Sequence, residues 1–338
     1  MIKMFNSIEK KVGIIYFTLI ISFIFSSEYK CDYCKKNIIG KYYFLEQKKY
    51  HEECYNQNIV PKCNFCKESL LGRYVVNEDG NYHNDCYKNN ILPKCSVCIR
   101  PLEKEYNYDA WDNKYHGYHS NGKGNCSSCS RIISERTTNG GYIHIDGRAI
   151  CNLCDKDIVN TKLEIEDSRK RVLLLLEEIG FQSLSNEIPI ILKNRNELSL
   201  LMPHSSMISG LTNLEHSYKE NYLGQISDEK KEYEIFILDK LNPIDFDSIL
   251  AHEYLHVWLY ENNLNYNSQI TEGFCNLARA YIYQKNLDKY SIIQLNKMNE
   301  DPDLDYGVGY RIANLCLDNY GWNEMIKLFE NNKAHNCF

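Results

Sequence analysis

The feature that most constrains this chain is a repeat of paired cysteines and histidines. The segment YHEECYNQNIVPKCNFC, Tyr50 to Cys66, returns as YHNDCYKNNILPKCSVC, Tyr82 to Cys98, at an offset of 32 residues. Cys31, Cys34, His51 and Cys54 therefore map onto Cys63, Cys66, His83 and Cys86, and both sets read CxxC, sixteen residues, HxxC. Two ligand pairs per unit make one tetrahedral site, and thiolate with imidazole suits zinc. A third unit opens with Cys95 and Cys98 and, after seventeen residues, offers His116 and His119. A fourth has Cys126 and Cys129, then Cys151 and Cys154. These are four candidate structural zinc sites, and they use every cysteine from Cys31 to Cys154; only Cys275, Cys316 and Cys337 lie beyond.

Each unit is too small to bury a stabilising core, so metal binding would supply much of its folding free energy, about 10 kcal/mol or more per structural zinc. The competing reading is a disulfide framework, but that does not account for His51 and His83 recurring in register. His144, between Ile143 and Ile145, reads as a strand residue rather than a ligand. Closed zinc sites leave no open coordination position, so the fingers read as protein-binding modules. Tyr42, Tyr43, Tyr50, Tyr55, Tyr74, Tyr82 and Tyr87 either form a contact surface or cover the small cores.

A length of 338 residues allows about two domains at roughly 150 residues each. The net charge of -6 gives no electrostatic case for a nucleic-acid partner. Lys3, Lys10 and Lys11 precede an apolar run from Val12 to Phe25, followed by Ser26 and Ser27, which is the layout of an export signal. The run is shorter than the roughly 20 residues of a spanning helix. Residues 1–27 are expected to be a signal peptide or an N-terminal membrane anchor, with a buried core helix as the competing reading. The chain is thus expected to be exported, secreted or periplasmic, or tethered to a membrane by this segment.

In the back half, Thr161 to Gly180 has a helical apolar face. Ile188 to Leu192 and Tyr233 to Leu238 read as short strands, the second expected to line a cleft and pair with an extended peptide as edge strands do. The decisive segment is DFDSILAHEYLHVWLYENN, Asp245 to Asn263, where Asp247 or Ser248 is expected to cap a helix. His252 and His256, four apart on one helical face, reach one ion, and Glu253 projects beside them. Glu272, in TEGF on the next helical segment, is either the third ligand or a helix N-terminal carboxylate stabilised by the dipole. A set of two histidines and one glutamate leaves zinc a position for water, lowers that water's pKa to about 7, and lets Glu253 act as general base. The expected function is a zinc metallopeptidase acting on protein substrates, with one catalytic and four structural zincs. The alternative is a zinc-finger adaptor whose peptidase-like half binds peptides without cutting. Tyr306, Tyr310 and Arg311 are candidates to donate to the oxyanion.

Taken together, PKCSVC at Pro93 to Cys98, the run from His116 to Cys129, CNLC at Cys151 to Cys154, SILAHEYLHVWL at Ser248 to Leu259, TEGFC at Thr271 to Cys275 and YGVGYR at Tyr306 to Arg311 resemble one family. It is the plant organ-size LIM peptidases, the ubiquitin-activated "DA-one" family, whose relatives include bacterial proteins. The resemblance implies a gluzincin-type peptidase with His252, His256 and Glu272 on zinc and Glu253 as base. It also implies that Cys63 to Cys154 form LIM and LIM-like fingers. The pattern departs from the family in three places. Eight residues separate Cys54 from Cys63, where a LIM domain joins its two fingers by two. His116 stands where the plant proteins have Cys, and Glu28 follows the apolar segment directly, without the acidic ubiquitin-binding helices, so ubiquitin activation is not carried over. The fold class expected is α+β: the segment at 1–27, LIM-like zinc-finger units over 28–159, and a zincin-type metallopeptidase domain over 160–338.

Overall fold

The structure is a computed structural model describing residues 2–3, 29–182, 184–202, 208–220 and 226–338. The expected export segment thus lies, apart from residues 2–3, outside the described residues. Among the described residues no helix is long and apolar enough to cross a membrane. The chain is mixed α/β and divides into two compact units, Met1–Gly122 and Lys123–Phe338.

The first unit holds three copies of one small module. Its strands are β1 (Ile2–Lys3), β2 (Tyr42–Leu45), β3 (Lys48–His51), β4 (Val75–Asn77), β5 (Gly80–Tyr82), β6 (Tyr106–Tyr108) and β7 (Lys114–Tyr115), with α1 (Glu52–Asn58) and α2 (Asn84–Cys86) after the first two hairpins. Each CxxC pair forms a tight turn closed by a bridge, Lys30 to Asn37, Lys62 to Ser69 and Lys94 to Pro101. The residue after the second cysteine takes a left-handed conformation, Lys35 at φ 64°, Lys67 at 66° and Ile99 at 65°. Its N–H then donates to the carbonyl of the first cysteine, at 2.8 Å in the first module and 2.9 Å in the next two. The repeat is therefore one of backbone geometry as well as of ligands.

The cores of these modules are as small as their length implies. The first packs Cys31, Tyr50, Tyr55 and Val60; the second packs Cys63, Leu70, Val75, Tyr82 and Tyr87. Tyr50 and Tyr55 recur as Tyr82 and Tyr87 at the repeat offset, all four buried, and Tyr43 and Tyr74 pack against the same clusters. These tyrosines cover the cores.

The second unit begins with a fourth module: α3 (Glu135–Thr138), β8 (Gly141–Ile143), β9 (Ala149–Cys151) and α4 (Asn152–Asp155). Its turn is closed by the bridge Asn125 to Ile132, with Ser130 at φ 63°. Then comes α5 (Lys162–Glu178), whose Thr161 and Glu164 form a reciprocal capping box. A sheet follows in the order β10 (Ile190–Lys193), β12 (Ile226–Leu238), β11 (Gly210–Glu220), with α6 (Arg195–Leu201) after β10. β12 runs parallel to β10 and antiparallel to β11. The expected edge role of Tyr233 to Leu238 is therefore corrected: these residues lie in the central strand, where Ile235 to Leu238 pair with β10 and Tyr233 to Ile237 with β11, and among the described residues β10 and β11 are the outer strands.

The helices α7 (Pro243–Glu261), α8 (Ser268–Asn286), α9 (Lys289–Glu300) and α10 (Gly309–Glu330) complete the unit. They pack with α5 and the sheet around one large apolar cluster that includes Phe181, Ile235, Phe246, Tyr254, Phe274 and Phe329. α7 starts earlier than expected: Asn242 caps it, accepting from the Asp245 N–H, and Pro243 occupies the first helical position. Asp247 and Ser248 lie inside the helix instead. Asp247 holds Arg171 of α5 through two bonds of 2.8 and 3.0 Å, and Ser248 donates to Tyr283 of α8 at 3.0 Å.

Candidate metal centres

Four sets of ligand atoms converge in the modules: Cys31, Cys34, His51, Cys54; Cys63, Cys66, His83, Cys86; Cys95, Cys98, His116, His119; and Cys126, Cys129, Cys151, Cys154. Within each set the ligand atoms lie within 4.8 Å of one another, so each set could hold a metal ion. All of these cysteines are free thiols. Among the described residues the disulfide joins Cys316 to Cys337, far from the modules in sequence.

The imidazoles are aimed by the backbone. His51 Nε2 lies 3.0 Å from the Asn37 carbonyl, His83 Nε2 3.2 Å from that of Ser69, and His116 Nε2 3.2 Å from that of Pro101. A carbonyl only accepts, so each Nε2 carries the proton and each Nδ1 turns a lone pair toward the thiols. Nδ1 lies 3.3 Å from Cys34 Sγ, 3.3 Å from Cys66 Sγ and 3.5 Å from Cys98 Sγ. Burial raises the pKa of the Cys31 and Cys63 thiols, but backbone N–H groups, those of Cys34 and His51 for the first and of Cys66 and His83 for the second, outweigh it and hold both at about 6. His119 Nε2 is buried with no hydrogen-bond partner, as expected of a nitrogen that faces an ion. His144 turns elsewhere, its Nε2 3.2 Å from Asp239 Oδ2.

A fifth set, His252, His256 and Glu272, lies in the second unit. The two histidines sit one turn apart on α7 with their Nε2 atoms 3.1 Å apart. Glu272 lies on the facing helix α8, beyond its first turn, with Oε2 3.1 Å from His252 Nε2 and 3.7 Å from His256 Nε2. The helix-dipole reading of Glu272 is thus the weaker one. Two glycines allow α8 to meet the start of α10 so closely: a Cβ on Gly273 would lie 2.4 Å from the Gly309 carbonyl oxygen, and one on Gly309 would lie 2.5 Å from that of Gln269.

These residues fit a cation. Glu272 Oε2 is buried and closes no hydrogen bond. Burial works to raise the Glu272 pKa, but His252 and His256 hold it well below the usual carboxylate range. Burial likewise opposes charge on His256, yet Cys275, Glu272 and Glu253 around it push its pKa well up. His252 Nδ1 lies 3.1 Å from Asn276 Oδ1, and the Asn276 amide donates at 3.0 Å to the Tyr306 carbonyl. That second bond fixes which end of the amide is oxygen. His252 Nδ1 must then carry the proton, and Nε2 presents a lone pair to the cluster.

Glu253, 3% exposed, stands beside the set. The Thr212 hydroxyl on β11 donates to its Oε2 at 2.8 Å and to its backbone carbonyl at 3.0 Å. Gly210 makes the approach of β11 feasible, since a Cβ there would lie 2.3 Å from Glu253 Oε1. Of the three tail candidates, Arg311 is committed to the carbonyls of Asn299 and Asp301 and Tyr310 is buried in the core. Tyr306 lies beside the set, its ring 6.4 Å from that of His252, and burial with the nearby Glu272 and Glu253 raises its pKa.

The sequence reading missed Asn276, Thr212 and Gly210. Asn276 had a usable signal, being one helical turn beyond Glu272 on the same face. No protein-family model matches this chain, and no curated protein matches it.

Proposed function

We propose that this protein is a zinc metallopeptidase of the kind its sequence resembles, the LIM-peptidase family, with zinc-finger modules that bind protein partners. The observation that carries this reading is the meeting of His252, His256 and Glu272 at one point with Glu253 buried beside them on Thr212. His252 Nε2, His256 Nε2 and the Glu272 carboxylate would hold the ion. Zinc bound there supplies Lewis acidity to the scissile carbonyl.

The remaining work falls to the chain. Thr212 occupies Glu253 Oε2, which leaves Oε1 to take the proton of the attacking water and to return it to the amine nitrogen as the C–N bond breaks. The outer edge of β11, which carries Thr212, would pair with an extended peptide and lay its carbonyl by Glu253. Tyr306, kept protonated by its surroundings, is the donor that the chain offers to the developing oxyanion. The twelve clustered thiols would be guarded by their four structural zincs. The Cys316–Cys337 disulfide favours an oxidising compartment, in keeping with export or a membrane tether at 1–27.

The test is zinc content by native mass spectrometry of the wild-type chain and of Glu253→Gln, each then mixed with denatured protein substrates. Five zincs in both, with cleavage slowed by about 10²–10⁴-fold in the variant, are the expected result. Five zincs with cleavage by neither would replace the peptidase with a peptide-binding adaptor.

A further inference from the structure

Each of the residues that join β12 to α7, Asp239, Lys240, Leu241 and Asn242, is bound by the fourth module. Arg148 Nη1 donates to the Asp239 carbonyl at 2.9 Å while Nη2 pairs with its carboxylate. Lys240 Nζ reaches Asp155 at 3.4 Å, the Val159 N–H donates to the Leu241 carbonyl at 2.9 Å, and the Asn242 amide donates to Ser128 Oγ at 3.1 Å. Asp146 completes the grip, accepting from Arg148 Nε at 2.7 Å and from the Arg195 N–H at 3.0 Å.

Ser128 lies between Cys126 and Cys129, inside the metal turn itself. Its hydroxyl donates at 2.9 Å to Asp245 Oδ2, in the first turn of α7 and two turns before His252. Asp245, 6% exposed, also accepts from Tyr290 and, at 2.8 Å, from Tyr283, which in turn accepts from Ser248. The Ser128 carbonyl accepts from Gln294 Nε2 at 2.9 Å and Lys297 Nζ at 3.0 Å. Tyr290, Gln294 and Lys297 are spaced four and three apart, so one face of α9 is devoted to this single turn. The same repeat position holds Tyr33 in the first module and Phe65 in the second, which are 52% and 51% exposed.

We propose that the fourth cluster is a built-in part of the His252–His256–Glu272 centre rather than a partner-binding finger, and that Ser128, Asp245 and Arg148 are positioning residues through which it holds α7 in place. The inference rests on both clusters binding metal, as proposed above. It does not require that the protein cut peptides.

The experiment titrates the full-length, zinc-loaded chain with a chelator and follows each ion by native mass spectrometry. The ion of the α7 site is recognised as the one missing from His252→Ala. In Ser128→Ala its affinity is expected to fall about ten-fold, the low end of the range for groups bonded directly to metal ligands, because Ser128 acts on His252 only through α7, and Ser128→Thr should restore it. Tyr33→Ala, at the equivalent position of the first module, should leave it as in the wild type. Should Ser128→Ala not fold, Arg148→Lys removes the forked contact with Asp239 and is expected to give the same fall. Where cleavage is measurable, kcat should drop with KM unchanged. Wild-type retention of that ion in the folded Ser128 or Arg148 variant, or an equal loss in Tyr33→Ala, overturns the proposal. A chain that holds all its zinc but cuts nothing sinks only the peptidase reading, because retention is read without substrate.

Discussion

The first and fourth modules share a ligand turn to within a few degrees, yet they are embedded differently. Lys35 and Ser130 take φ values of 64° and 63° at the same place after the second cysteine. In the first module the residue inside the turn is an exposed tyrosine; in the fourth it is a serine tied to two helices. The first packs a core of four buried residues, Cys31, Tyr50, Tyr55 and Val60, whereas the fourth belongs to the unit built on the large Phe181–Phe329 cluster. The lesson is that the CxxC spacing dictates the local turn, while the residues between the cysteines decide whether the turn carries an exposed side chain, as at Tyr33, or is gripped by neighbouring helices, as at Ser128.

The largest expected effect tests the difference in core size. Chelation should cost each of the first three modules about 10 kcal/mol, far beyond what such cores supply. Limited proteolysis with zinc removed should therefore cut within 29–122 first and within 123–159 later, leaving the α5 to α10 body protected. Simultaneous cutting of all four modules would abolish the contrast.

Gly210→Ala sharpens the other side, since its Cβ would fall 2.3 Å from Glu253 Oε1. Peptide hydrolysis should drop about 100-fold for a displacement of this order, with the zinc count unchanged. A loss of zinc along with activity would instead point to general disruption of α7. Asn276→Ala frees His252 to turn and should weaken the α7-site ion by about 10- to 100-fold, leaving the four module ions untouched; a chelator titration reads both in one experiment. The smallest effect is expected at Phe65→Ser, which should change thermal stability by no more than about 0.5 kcal/mol. If this position is a contact surface, the same variant should lose affinity for a protein partner.

The elements that were legible from the sequence are those set by local spacing. The helix expected over Thr161 to Gly180 from its apolar face forms as Lys162–Glu178, with Thr161 at its N-cap. The start of α7 was misplaced because Asp247 and Ser248 resemble caps by residue type, whereas Asn242 followed by Pro243 is the stronger pair and both later residues are buried in side-chain contacts from α5 and α8. The central place of β12 is not legible in the sequence, because alternation in Tyr233 to Leu238 reports which face is buried, not how many neighbours the strand has.

By itself the sequence determined which residues of the five groups could hold a metal ion, because the CxxC turns and the one helical face of His252 and His256 set donors at fixed intervals, with Glu272 picked out on the next helix. It also determined that the modules would be small, while leaving open whether their tyrosines form a contact surface or cover the cores, which the packing of Tyr50, Tyr55, Tyr82 and Tyr87 decided. Only the tertiary structure decided that Thr212 and Gly210 of β11 stand over Glu253, that Asn276 orients His252, and that Ser128 grips α7. Those contacts join residues separated by 24 to 117 positions in the chain, and no short-range periodicity encodes a meeting that exists only once the helices and strands have packed.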